Sequence, residues 1–139
     1  KRYVAGMKRT AVDTNVLVRL LIALDNDQSR IATRLVETET IFVLKTVLLE
    51  TEWILRSLVK ASRYEINERF RAMLTMPAIE LEDPEHVSKA LDMHSKGMDF
   101  ADALHASSLD ATVRFLTFDR DMVRIAKRHF PDAAIELAS

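Results

Sequence analysis

Short apolar runs alternate with longer stretches of helical periodicity along almost the whole chain, and this alternation narrows the folds open to it. Ile41-Phe-Val-Leu is β-branched and aromatic, the composition of a buried strand. Residues 10–13, preceded by Lys8 and Arg9, predict a shorter one. Residues 78–81, 113–118 and 134–137 predict three more. Between them, apolar residues recur at near-helical spacing. Helices are expected from near Asn15, over 29–39 (Ile31, Leu35 and Val36), and from a Thr46 cap with Leu48, Leu49, Trp53 and Leu58 on the apolar face. Another is expected over 63–74 with Ile66, Phe70, Met73 and Leu74 inward, ended by Pro77. Asp83-Pro84-Glu85 starts a further helix that runs to Gly97 as its cap. Residues 100–109 and 120–128 complete the set. Strands alternating with helices predict the α/β class: an α/β/α sandwich with a central parallel sheet.

The chain has 139 residues, enough for one domain with its own core. Only two glycines and three prolines punctuate it, and no repeat or low-complexity linker appears, so residues 8–139 read as a single domain. Residues 1–7 read as an N-terminal extension or expression remnant, with Met7 a possible start. Hydrophobic content of 48% beside 29% charged residues excludes a disordered chain. The absence of cysteine removes disulfides, zinc–thiolate sites and thiol nucleophiles together, and suits a reducing cytoplasm. No apolar stretch approaches a membrane span and no signal peptide is visible. A net charge of −1 argues against a protein that holds nucleic acid through a broad basic surface. Local basic density remains in the segment from Arg120 to His129 and at Arg56, Lys60 and Arg63, for which a solvated helix face is the default explanation.

Four acids stand where apolar runs stop: Asp13, Glu50, Asp102 and Asp119. A carboxylate at the edge of a core segment is costly unless a partner offsets its desolvation. A hard divalent cation is such a partner, since Mg²⁺ and Mn²⁺ select oxygen ligands. In parallel α/β folds ligands bind beyond the carboxyl ends of the strands, where Asp13 and Asp119 fall. Clustered carboxylates repel one another until a cation intervenes, and such a centre activates water against a phosphodiester. No serine–histidine pair, Gly-x-Ser-x-Gly or phosphate-cradling glycine loop offers different chemistry.

Each acid also has a purely structural explanation. Asp13 and Asp119 are good helix caps. Glu50 is a first-turn residue, and Glu52, about 200° around the helix, is an equally available acid. Glu50 lies one turn before Trp53, expected as a core anchor. Asp99 and Asp102 share a face one turn apart, with Asp99 the expected cap and Asp102 deeper. Capping is again the default for Asp121, and Glu52 reads as structural. Packing is the expected role of His105, three residues past Asp102, and Met73 and Met76 read as core filler.

Four stretches in order resemble the PIN-domain ribonucleases: Asp13-Thr-Asn-Val-Leu-Val, Leu49-Glu-Thr-Glu-Trp-Ile-Leu-Arg56, Asp99-Phe-Ala-Asp-Ala-Leu-His-Ala and Leu116-Thr-Phe-Asp-Arg-Asp. They are similar in particular to the VapC toxins of type II toxin–antitoxin pairs, over residues 8–137. The resemblance implies a Mg²⁺- or Mn²⁺-dependent endoribonuclease with Asp13, Glu50, Asp102 and Asp119 as catalytic and metal-binding residues. It implies supporting positions at Asn15 and Thr117, with Asp99 and Asp121 beside the site. It also implies a homodimer, an RNA substrate and a cognate antitoxin. The segment between Arg63 and Glu82 carries no family motif and is expected to shape the substrate or antitoxin groove.

Two other classes compete. One is a PIN-like module that binds RNA or protein without cutting, although binding alone gains nothing from four clustered negative charges. The other is a different phosphoryl-transfer domain. A haloacid-dehalogenase-type phosphatase needs Asp-x-Asp after the first strand, and Asn15 occupies the second position; a receiver domain needs paired acids there and a mid-sheet aspartate that Ile79-Glu-Leu does not supply.

Overall fold

A computed structural model describes residues 8–22 and 25–139. The expectation of an extension over residues 1–7 lies outside the described residues. The chain packs as two compact units, one ending at Pro84 and the other Glu85–Ser139.

The first unit is a three-stranded parallel sheet with its helices. β1 (Lys8–Ala11) pairs with β2 (Glu39–Val43), and β2 with β3 (Ile79–Leu81), in the order β1-β2-β3. β2 is hydrogen-bonded on both edges, and Thr40, Ile41 and Val43 are buried, as its β-branched composition requires. Four helices fill the connections: α1 (Thr14–Leu21), α2 (Asp27–Thr38), α3 (Lys45–Ser57) and α4 (Arg63–Thr75). Asn26 caps α2 through its side chain, which accepts the Ser29 N–H at 2.8 Å. Ser62 and Glu65 form a reciprocal capping box on α4. Its inward residues Ile66, Phe70 and Met73 are almost wholly buried, while Leu74 is only half-buried and Met76 is exposed.

The second unit contains α5 (which begins at the junction, Pro84–Ser95), α6 (Phe100–Ser107), β4 (Phe115–Thr117), α7 (Arg120–His129) and β5 (Ile135–Leu137). β4 and β5 pair in parallel, Phe115 opposite Ile135. α5 ends at the expected glycine. Gly97 has φ +110°, a left-handed conformation that side chains resist, and a Cβ there would stand 3.4 Å from Ile125. His94 is buried against Phe100 in an edge-to-face contact with ring centroids 5.6 Å apart. All the strand pairings are parallel and the intervening segments are helical, so the α/β class expected from the alternation is the class observed. No described helix is long and apolar enough to cross a membrane.

α3 departs from expectation in two ways. It starts at Lys45 with Leu44 in the cap position and no side-chain cap, so Thr46 lies inside the helix. Its buried face carries Val47, Leu48, Thr51, Glu52 and Leu55. Trp53 is 52% exposed and Leu58 67% exposed, so neither is a core anchor. A 3.6-residue period admits more than one apolar stripe in Leu48-Leu-Glu-Thr-Glu-Trp-Ile-Leu, and packing selects the stripe through Leu48 and Leu55. Leu55→Ala should then cost about 2–5 kcal/mol, and Leu58→Ala no more than about 0.5 kcal/mol. Urea denaturation of the two variants checks this; equal losses would restore the stripe expected from the sequence.

Candidate functional site

Asp13 stands two residues beyond the end of β1 and is the N-cap of α1. Its Oδ1 accepts the Val16 N–H at 3.1 Å. The same turn places Thr14 against α3, where the Thr14 hydroxyl donates to Glu50 Oε1 at 2.6 Å. Within the first unit, therefore, the Asp13–Thr14 corner and Glu50 are joined by one hydrogen bond. Thr14 was not singled out from sequence, although its hydroxyl directly follows Asp13. Glu50 is exposed rather than turned toward a core anchor, because Trp53 on its side of the helix is itself half in solvent. Glu52 is the acid that points inward. It is 3% exposed and accepts from Arg56 Nε at 2.8 Å and Nη2 at 3.3 Å, the paired state a buried charge requires. Its structural assignment is thereby accounted for.

In the second unit Asp119 follows β4 and caps α7, with Oδ1 accepting the N–H groups of Asp121 and Met122 at 2.9 and 3.1 Å. Thr117 supports it from the strand end: its Oγ1 accepts the Asp119 N–H at 3.0 Å. Asp121 is exposed and ion-paired with Arg124 at 3.1 Å. Asp99 caps α6 as expected, its Oδ2 accepting the Asp102 N–H at 3.3 Å. Asp102 is half-buried, and its carboxyl is held above the ordinary carboxylate range. Burial is the main cause, followed by the negative charges of Asp99 and then Asp119, with His105 opposing them. His105 is thus exposed and electrostatically linked to Asp102, not packed in the core.

Among the described residues no group of three or more His, Asp or Glu side chains is gathered closely enough to hold an ion. The chemistry of the donors nevertheless fits a hard cation, because all four candidates offer carboxylate oxygen. Asp13, Glu50 and Asp119 each use one oxygen in the hydrogen bonds above and keep the other without a partner among the described residues. Asp102 has neither oxygen so engaged, and it sits beside two like charges that a cation would offset.

A carboxyl whose folded pKa lies above its unfolded value binds its proton more tightly when folded. Its ionisation therefore lowers stability at neutral pH, and that cost disappears as the pH falls below the unfolded carboxylate pKa. In the presence of chelator, Asp102→Asn should melt at a higher temperature than the parent at pH 7, with the gain shrinking as the pH is lowered toward about 4. Thermal melts across that range check it; a gain independent of pH would remove charge as the cause.

No curated protein matches the chain. The PIN domain family model matches residues 10–128, which takes in the corner after β1, α3, the α6 carboxylates and the start of α7. The chain belongs to the PIN-domain family, whose members are generally nucleases.

Proposed function

We propose that this chain is a metal-dependent endoribonuclease and the toxin of a type II toxin–antitoxin pair, of the VapC kind. Asp13, Glu50, Asp102 and Asp119 are the catalytic residues and would hold Mg²⁺ or Mn²⁺ through their carboxylate oxygens. When bound, such a cation makes water a stronger nucleophile and offsets charge on the phosphoryl group. The observation that carries this reading is Asp102, a half-buried carboxylate with neither oxygen in a side-chain hydrogen bond among the described residues, disfavoured as an anion first by burial and then by the negative charges of Asp99 and Asp119. A fold maintains such an arrangement at a cost to stability, and a cation bound there gives it a use.

The chain's own residues have separable tasks. Capping hydrogen bonds hold Asp13 and Asp119 at helix N-termini. Thr14 orients Glu50, Thr117 fixes the backbone of Asp119, and Asn15 lies on the first turn of α1 beside Asp13. Asp99 caps the turn before Asp102, Asp121 pairs with Arg124 on the first turn of α7, and both remain outside the ligand set. The leaving group is the ribose 3′ oxygen of a structured RNA: tRNA, rRNA or mRNA.

The toxin assignment rests on the four acidic motifs occurring in order, and exposed apolar residues support a protein partner. Leu58, Val59 and Tyr64, close in sequence around the α3–α4 turn, are 67%, 44% and 73% exposed, apolar surface that a partner would cover. A cognate antitoxin and a second copy of the chain in a homodimer are the partners proposed, acting in the cytoplasm as one domain spanning residues 8–139. A non-catalytic binding role is the alternative, and one experiment separates the two. The protein, freed of any antitoxin, is incubated with total cellular RNA in Mn²⁺, in Mg²⁺ and in EDTA, beside Asp102→Asn. Discrete fragments that need metal and fall at least about a hundredfold in the variant are expected. Cleavage that survives both EDTA and the variant would overturn the four-acid assignment; metal binding without any cleavage would favour the binding module.

A further inference from the structure

In the unit that ends at Pro84, Arg9, Arg30 and Arg56 all face carboxylates: Arg9 meets Glu80 at 2.8 Å, Arg30 meets Asp25 at 2.8 Å and also Asp27, and Arg56 meets Glu52 at 2.8 Å. Arg19 does not. Its Nε and Nη2 both donate to Oε1 of Gln28, at 3.0 and 2.7 Å. The acceptor is a neutral amide, so the charge of Arg19 is uncompensated among the described residues. A guanidinium carries five N–H donors. Two are used here, which leaves three without a partner among the described residues.

Its surroundings say what the charge is for. Asp13, Asn15, Arg19 and Gln28 line one open cavity of about 180 Å³ between α1 and α2, floored by Ala32 and Leu35. Asn15 and Arg19 are one helical turn apart and share a face of α1. Arg19 lies six residues past Asp13, about 9 Å along the helix axis, and the two residues line the same cavity. The two bonds to one oxygen of Gln28 hold the guanidinium plane in a fixed attitude. A planar fork of free donors fits the paired oxygens of a phosphate, and a fixed one loses little entropy in binding it.

We propose that Arg19, oriented by Gln28, is a binding residue for an RNA phosphate adjacent to the one attacked beside Asp13. This rests on the nuclease reading above. Arg19 supplies positive charge in the cavity that Asp13 also lines, and it sets where the strand lies relative to Asp13. Gln28 is a positioning residue.

The test measures binding of a short fluorescent single-stranded RNA of mixed sequence by anisotropy, in Mg²⁺ and at several salt concentrations, with Asp102→Asn as the non-cleaving background. Cleavage of total RNA by the parent runs in parallel. Arg19→Ala should weaken binding by about tenfold and reduce the slope of log affinity against log salt by about 0.7, the value of one lost single-strand phosphate contact. Arg19→Lys, which keeps the charge but not the fork, should keep the slope while losing affinity. Gln28→Ala should behave as Arg19→Lys does. Unchanged melting temperatures exclude loss of fold as the cause. If Arg19→Ala binds with the parent's affinity and slope, the phosphate role is wrong, and the nuclease reading stands as long as the parent cuts RNA. If the parent neither binds nor cuts, both fall together.

Discussion

The aspartate cap at the junction between strand and helix is the interaction on which the candidate site depends. Asp13 after β1 and Asp119 after β4 each give one carboxylate oxygen to the first N–H groups of the following helix. This satisfies donors that no intrahelical carbonyl reaches, and it places negative charge where the helix dipole favours it. The second oxygen is then held in a fixed direction and has no partner among the described residues. Capping and metal binding are therefore not rival explanations for these residues. The cap is what makes the oxygen available and keeps it still.

Charge that the fold pairs and charge that it leaves unpaired separate structure from chemistry here. Glu52 is nearly inaccessible and Arg56 neutralises it, so it belongs to the packing of α3. Asp102 has no such partner among the described residues: burial first, and then the like charges of Asp99 and Asp119, push its carboxyl upward. Arg19 is the cationic counterpart, a guanidinium held by an amide while Arg9, Arg30 and Arg56 found carboxylates. Groups left in such states lower stability, which is the usual mark of a surface kept for a ligand. Membership of the PIN-domain family is consistent with that division.

Much of this was legible in the chain. Ile41-Phe-Val announced β2, Pro84 opened α5, Gly97 closed it, and the order of strands and helices predicted a parallel α/β fold. The α3 region was misread in part, for a definable reason. Leu48-Leu-Glu-Thr-Glu-Trp-Ile-Leu carries apolar residues on more than one stripe, and a large aromatic such as Trp53 pulls the assignment toward itself. Only packing, which buried Leu48 and Leu55, shows that Trp53 is half in solvent. The absent side-chain cap at Leu44 was equally hidden, because Thr46 has capping chemistry but sits two residues too late. Thr14 was overlooked because a single hydroxyl in a motif has no periodicity to mark it.

The sequence by itself determined the elements, their order and the residue types from which a site could be made. Those properties are local: β-branching, helical spacing, proline and glycine positions, and carboxylates at the ends of apolar runs act within a few residues of where they are written. The tertiary structure decided which acid of a neighbouring pair faces inward, that Thr14 reaches Glu50 across 36 positions of chain, and that Arg19 is held by Gln28 rather than by a carboxylate. Those outcomes depend on the relative placement of helices, which is set by how whole faces pack. No single segment encodes that.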